Sequence, residues 1–128
     1  MLRRSFAFLV AAVLVAGCSS RAMLGMSRTI GTSAEKDLAA GIRAYENGEY
    51  EDAERLLERS LDENLTFKSD KINARKYLAF TTCVSNEERK CREHFRKIFE
   101  LDPRFELDRN EAGHPIWGPV FRSVRPKK

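Results

Sequence analysis

The chain has 128 residues, with 23 basic and 19 acidic side chains and a formal net charge of +4. This length suits one domain with a short leader. Because lysine and arginine alternate with aspartate and glutamate instead of forming a basic stripe, the composition argues against a nucleic-acid-binding protein.

The N-terminus has the order of a secretory signal. Arg3 and Arg4 precede an apolar run over residues 6–16. The run is shorter than the roughly 20 residues that a membrane-spanning helix needs. Residues 15–18, Val-Ala-Gly-Cys, then resemble a bacterial lipobox, in which the cysteine receives a lipid. We therefore expect Cys18 to be lipidated; the alternatives are an ordinary secreted protein or a cytosolic protein with an apolar start.

The predicted lipoprotein signal peptide covers residues 1–17, and acyl chains on Cys18 would anchor the mature chain to a membrane. Ser19 stands where an inner-membrane retention signal usually has aspartate. By analogy with enterobacterial sorting, we expect the periplasmic face of the outer membrane. Residues 18–32 are rich in small side chains and predict a flexible tether, with a root-mean-square span of about 20 Å.

A first helical hairpin is predicted after the tether. Thr32 and Glu35 have the spacing of a capping box, which marks a helix start. Asn47-Gly48 interrupts the helical period, and the period resumes at Tyr50. The apolar positions that carry the period are Leu38, Ile42, Tyr45, Ala53, Leu57 and Leu61.

The small residues of this hairpin resemble those of the tetratricopeptide repeat (TPR). Gly41 and Ala53 lie twelve residues apart, with Gly48 between them. Small side chains at facing positions would let the two helices approach closely, while Tyr50 and Leu57 fill the space around them. We favour a TPR-like hairpin over a generic pair of helices.

A second, more degenerate copy follows. Ala79 and Cys91 stand where the first copy has its small residues, and four extra residues separate the copies around Leu-Thr-Phe-Lys-Ser-Asp. Ser85 and Glu88 have capping-box spacing and predict the start of another helix. Phe95 and Ile98 continue the apolar face of that helix.

Two repeats leave an apolar end that needs a cover, and the C-terminal segment can supply it. We expect an extended stretch at Phe105 and Leu107, a turn at His114-Pro115 and a short capping helix from Gly118-Pro119. Trp117, the single tryptophan, is interpreted as the anchor of this cap, with a partner-binding hot spot as the sharper alternative. The predicted fold is all-α, with the TPR-like domain over residues 33–125 and a basic tail over 126–128.

Cys83 and Cys91 lie at equal distances from the predicted turn around Glu87. In an oxidising periplasm we favour a disulfide between them over free buried thiols. His94 is close enough in sequence for a three-ligand metal site with the cysteines, but no fourth ligand has a usual spacing. We expect no metal and no cofactor.

Sequence motifs for catalysis are missing. The chain has no Gly-x-Ser-x-Gly, no His-Glu-x-x-His and no phosphate-binding glycine loop. We expect a protein without enzymatic activity and without a small-molecule substrate.

The mature sequence resembles the TPR lipoproteins associated with bacterial type VI secretion, the TssQ family. The likeness covers most of the mature chain and is sharpest at Cys83, Cys91, Asp102-Pro103 and residues 113–119, Gly-His-Pro-Ile-Trp-Gly-Pro. It implies an accessory role in the envelope beside the secretion apparatus, with no enzymatic activity. Leu65 departs from the pattern, because a repeat often closes on proline there.

The predicted function is that of a lipid-anchored TPR adaptor that binds an envelope protein complex, with secretion-system membrane subunits as the expected partners. The alternatives are an accessory lipoprotein of outer-membrane protein or pilus assembly, and a cell-wall hydrolase or its activator. By analogy with TPR domains, the first helix of each hairpin faces the ligand. The predicted partner-binding residues are Ile42, Tyr45, Lys76, Phe80 and Trp117. The alternative for the first four is ordinary packing against the chain's own C-terminal segment.

Overall fold

A computed structural model describes residues 31–127, and this part of the chain is all-α, with six helices and no strand. The all-α prediction is confirmed. The predicted signal peptide, Cys18 and most of the tether lie outside the described residues. The helices are α1 (Ser33–Glu46), α2 (Tyr50–Asp62), α3 (Lys68–Val84), α4 (Glu88–Leu101), α5 (Arg109–Ala112) and α6 (Trp117–Val124).

The helices pack as two hairpins and a C-terminal cover. α1 pairs with α2, α3 pairs with α4, and α2 joins the hairpins through its contact with α3. α6 lies against α4 and α3. This packing is consistent with the predicted TPR-like hairpins followed by a capping helix.

The first hairpin begins and turns where the sequence predicts. The backbone N–H of Thr32 donates to the Glu35 carboxylate at 2.8 Å, and the N–H of Glu35 donates to the Thr32 hydroxyl at 3.4 Å, which completes the capping box. Gly48 has a φ of +78°, in the left-handed region that glycine adopts at little cost. These two local features fix the ends of α1.

Gly41 permits the close approach of α1 and α2. A Cβ atom built on Gly41 would lie 2.7 Å from Cγ of Leu57 and 3.2 Å from its backbone nitrogen. Leu57 is fully buried, and both Gly41 and Ala53 are buried at the same interface. The predicted role of the small residues in the first hairpin is therefore what the packing requires.

We expect Gly41→Ala to lower the free energy of unfolding by about 1–3 kcal/mol, because the new methyl group overpacks the hairpin. Urea unfolding followed by circular dichroism measures the change. Gly113→Ala is the matched control, since a Cβ there meets only the carbonyl oxygen of Arg109, at 3.7 Å. Equal stability of the two variants would contradict the close approach at Gly41.

The second hairpin departs from the prediction at both ends of α3. The extra residues between the copies lengthen α3, which has 17 residues against 14 in α1. The capping box predicted at Ser85 and Glu88 is wrong, since Ser85 ends α3 by donating its backbone N–H to the Thr81 carbonyl. α4 begins at Glu88 after Glu87, without a side-chain cap. The turn needs the left-handed φ of Asn86, +63°, which leaves Ser85 on the preceding helix.

The buried apolar side chains form two clusters. The first lies between α1, α2 and α3 and centres on Leu38, Leu57 and Leu78. The second lies between α3, α4 and the C-terminal segment, and its members are Ala79, Phe80, Cys83, Cys91, Phe95, Ile98, Phe99, Leu107, Trp117, Val120 and Phe121. The C-terminal segment thus completes the second core, which confirms that an apolar face needs it as a cover.

The C-terminal segment contains one helix more than the sequence analysis predicted. Phe105 and Leu107 lie in chain without regular structure, as expected. α5 then begins after Asp108, whose side chain forms a capping box with Glu111. α6 starts at Trp117, and Pro119 lies in its first turn, where proline costs no helical hydrogen bond.

Candidate functional site

The predicted ligand-facing residues lie on the surface shared by α1 and α3, here named the α1–α3 face. The ring of Tyr45 on α1 lies 6.1 Å from the ring of Phe80 on α3, measured between centroids. The Lys76 ammonium lies 5.8 Å from the centroid of the Phe80 ring. Ile42 is half-buried against the first core. The structure therefore brings Tyr45, Lys76 and Phe80 together and leaves Ile42 beside them on α1.

The C-terminal segment covers part of this face. The indole of Trp117 stacks on Phe80, with 4.1 Å between ring centroids, and its Nε1 donates to the backbone carbonyl of Glu111 at 2.8 Å. The Glu111 carboxylate pairs with the Lys76 ammonium at 2.7 Å. The imidazole of His114 also stacks on Trp117. α5 and the turn before α6 are thus fixed to α3 by an ion pair, a hydrogen bond and aromatic stacking.

This cover buries two of the predicted partner-binding residues. Only 2% of Phe80 and 6% of Trp117 are exposed, because each buries the other. A partner would first have to displace the C-terminal segment, so the contact of these two residues with a partner stays a prediction. The other interpretation, in which Trp117 anchors the cap, agrees with the packing.

Tyr45 stays half-buried at the edge of the covered region. Burial, followed by the influence of nearby Tyr50, Tyr77 and Glu111, raises the pKa of its phenol to about 12. The phenol is therefore protonated at neutral pH and able to donate a hydrogen bond. Among the five predicted partner-binding residues, Ile42, Tyr45 and Lys76 keep some exposure.

A disulfide joins Cys83, near the end of α3, to Cys91, near the start of α4, with 5.1 Å between their Cα atoms. Because both sulfurs are in a disulfide, neither cysteine offers a thiolate to a metal, and residues 31–127 contain no group of three or more side chains placed to hold one. Closing a loop of about nine residues stabilises the fold by about 2.5 kcal/mol in the chain-entropy model. The disulfide locks the turn of the second hairpin.

His94, which the sequence analysis considered as a metal ligand, instead contacts an arginine. Its Nδ1 lies 3.2 Å from Nη1 of Arg75 on α3. Burial, followed by the positive charges of Arg75, Lys90 and Lys97, lowers the pKa of His94 to about 4. The imidazole is therefore neutral near pH 7, so its Nδ1 accepts a hydrogen bond that the guanidinium donates.

Arg75 and His94 lie in an open groove between α2 and α4, here named the α2–α4 groove, which the sequence analysis missed. Its two parts, of about 570 and 460 Å³, share Arg75 and Lys97. Arg75 and His94 are 19 residues apart on different helices, so no local motif connects them. The sequence feature that could have indicated this groove is the spacing of Cys91 and His94, which places both on one buried side of α4.

No protein-family model, curated protein or solved structure matches this chain. Within residues 31–127, no helix is both long enough and apolar enough to cross a membrane. The family resemblance, the lipid anchor and the partners accordingly stay predictions. The described residues present two candidate binding surfaces, the remainder of the α1–α3 face and the α2–α4 groove.

Proposed function

We propose that this protein is a lipid-anchored adaptor in the bacterial envelope, held to the periplasmic face of the outer membrane by Cys18. The observation that carries the proposal is the combination of a lipobox-like sequence with a domain made of packed helical hairpins. Stacked hairpins display long helical surfaces that suit protein contacts. The adaptor acts without catalysis, metal or cofactor of its own.

The proposed assembly is the type VI secretion apparatus, on the strength of the sequence resemblance. The residues that carry that resemblance have defined packing roles in this fold. Cys83 and Cys91 close the second hairpin, and Trp117 fastens the C-terminal segment to α3. A Cβ atom on Gly118 would lie 2.7 Å from the carbonyl oxygen of Ala112, so this close contact between α5 and α6 requires glycine. The shared pattern thus supports a shared domain structure.

Crosslinking in intact cells, followed by mass spectrometry of the captured proteins, tests the adaptor function. We expect the tagged wild-type protein to enrich membrane subunits of the type VI apparatus. Cys18→Ala should lose this enrichment because it removes the lipid-bearing thiol. Ser20→Ala is the matched control, since it leaves the lipobox-like residues 15–18 intact and should capture the same subunits.

Three results would contradict the proposal in different ways. Equal capture by the Cys18→Ala variant would show that the proposed lipid anchor is not needed to reach these partners. Enrichment of outer-membrane or pilus assembly factors, in place of secretion subunits, would make the protein an accessory lipoprotein of that assembly. Turnover of purified peptidoglycan by the isolated mature chain would show an enzyme instead of an adaptor.

A further inference from the structure

The α2–α4 groove contains an arginine that forms no ion pair with the described residues. Arg75 is half-buried, and within residues 31–127 its side chain makes one hydrogen bond, to the neutral imidazole of His94. Burial lowers the pKa of the guanidinium, and the charges of four carboxylates oppose that shift without forming an ion pair with it: Glu58, then Glu93, Asp62 and Glu100. A guanidinium has five N–H donors, so most of those on Arg75 remain free for a ligand.

The other side chains of the groove make it electropositive. Three carboxylates line it, from Glu58, Glu93 and Glu100. Lys90 is neutralised by Glu54 and Glu87, at 2.9 and 2.6 Å. Arg96 and Lys97 share the single carboxylate of Glu93, at 3.9 and 3.7 Å. The six cationic side chains of the lining are Lys71, Arg75, Arg89, Lys90, Arg96 and Lys97.

The groove is elongated and has an apolar end. It follows α4 from Arg89 to Leu101, and Leu61 of α2 lines the same part of the groove as Leu101. A 14-residue helix is about 21 Å long, which matches about six residues of extended peptide at roughly 3.3 Å each. A small anion would occupy only the region of Arg75.

The arrangement of charges selects among elongated anions. The carboxylates of Glu93 and Glu100 alternate with cations along α4, so they would repel the continuous charge of a nucleic-acid backbone. A peptide with spaced acidic residues can place its carboxylates on the cations and an apolar side chain near Leu61. The chain's own termini do not complement the groove, since residues 19–31 contain Arg21 and Arg28 without any acid, and residues 122–128 are basic.

We propose that the α2–α4 groove binds an acidic, leucine-containing peptide segment of a partner protein, with one carboxylate held by the guanidinium of Arg75. The neutral His94 orients that guanidinium by accepting one of its hydrogen bonds. The site lies on a different surface from the α1–α3 face that the sequence analysis nominated. The inference rests on the proposed adaptor function, because it names the kind of partner that such an adaptor would bind.

Fluorescence anisotropy with the mature chain, kept unlipidated by Cys18→Ala, tests the groove. The probe is a fluorescein-labelled hexapeptide in which three glutamates alternate with three leucines. We expect saturable binding that weakens as salt is added. Arg75→Gln should weaken it about tenfold or more, as expected for the loss of a charge-assisted contact, and Lys97→Gln should weaken it less. Arg55→Gln is the matched control, because Arg55 is exposed on α2 outside the groove lining.

Several results would overturn the assignment. These are absence of binding, equal affinities of the Arg75→Gln and Arg55→Gln variants, and equal binding of a single-stranded oligothymidylate of matched charge. A concentration-dependent dimer that Arg75→Gln abolishes would make a second copy of the chain the occupant. If circular dichroism shows that the Arg75→Gln variant is unfolded, Lys97→Gln on the helix surface replaces it. Equal affinities of the Lys97→Gln and Arg55→Gln variants would then overturn the assignment.

The in-cell crosslinking separates this inference from the adaptor proposal. If the Arg75→Gln variant captures the same envelope subunits as wild type and the hexapeptide does not bind, the groove assignment fails and the adaptor function stands. If the wild-type protein captures no envelope complex while hexapeptide binding depends on Arg75, the groove stands and the adaptor proposal fails.

Discussion

Trp117→Ala should lower the free energy of unfolding by about 3–5 kcal/mol, the range for truncating a large buried aromatic side chain. The indole is 6% exposed, stacks on Phe80 and donates its N–H to the Glu111 carbonyl. Its removal leaves a cavity in the second core and eliminates the stacking and the hydrogen bond that hold the C-terminal segment in place. Urea unfolding gives the free energy, and limited trypsin digestion after Arg122 reports whether the segment detaches.

Two variants define what the Trp117→Ala result means. Ile116→Ala is the matched control, because Ile116 is the preceding residue and is 47% exposed, and it should change stability little. Trp117→Phe keeps an aromatic ring against Phe80 but loses the hydrogen-bond donor, so its loss should be intermediate. If Trp117→Ala were as stable as Ile116→Ala, the C-terminal segment would not be an integral part of the domain.

Local sequence patterns were sufficient where neighbouring residues decide the structure. The capping box of Thr32 and Glu35 and the turn at Gly48 depend on contacts within a few residues, and both appear as predicted. The same logic would have found α5, because Asp108 and Glu111 have capping-box spacing that the sequence analysis overlooked. At Ser85 the pattern misled, since the left-handed turn at Asn86 assigns that serine to the end of α3.

The candidate sites depended on contacts that no local pattern contains. Phe80 and Trp117 are 37 positions apart, and only the path of the C-terminal segment determines that they bury each other. A TPR analogy assigns the face of a helix, but it does not say whether the chain's own segment already occupies that face. Arg75 and His94 likewise meet only because α3 and α4 are packed in one particular register.

This packing also changes how a ligand would reach the α1–α3 face. Lys76 is already paired with Glu111, and Phe80 is already covered by Trp117. A ligand at that face would have to replace both contacts, whereas the free donors of Arg75 face an open groove. A ligand at the α2–α4 groove therefore binds without first breaking contacts within the chain, whereas a ligand at the α1–α3 face must break two.

Acidification from pH 7.5 to 4.5 should lower the free energy of unfolding by about 2.5 kcal/mol through His94 alone. Burial, followed by the charges of Arg75, Lys90 and Lys97, lowers the pKa of His94 from 6.5 to about 4 in the folded chain. Between these two values the unfolded chain binds a proton that the folded chain does not. The contribution is therefore fully present above about pH 6.5 and is lost as the pH falls through about 4.

Urea unfolding at a series of pH values measures this loss, and His94→Gln isolates it from the titration of carboxyl groups. The glutamine keeps an acceptor for Arg75 without a titrating group, so the variant should be less stable at pH 7.5 but should show a flatter pH dependence. Arg75→Gln should keep most of the wild-type slope, because burial is the largest cause of the shift. If the slopes of wild type and His94→Gln coincide, His94 titrates alike in the folded and unfolded chains, and its burial against Arg75 does not hold in solution.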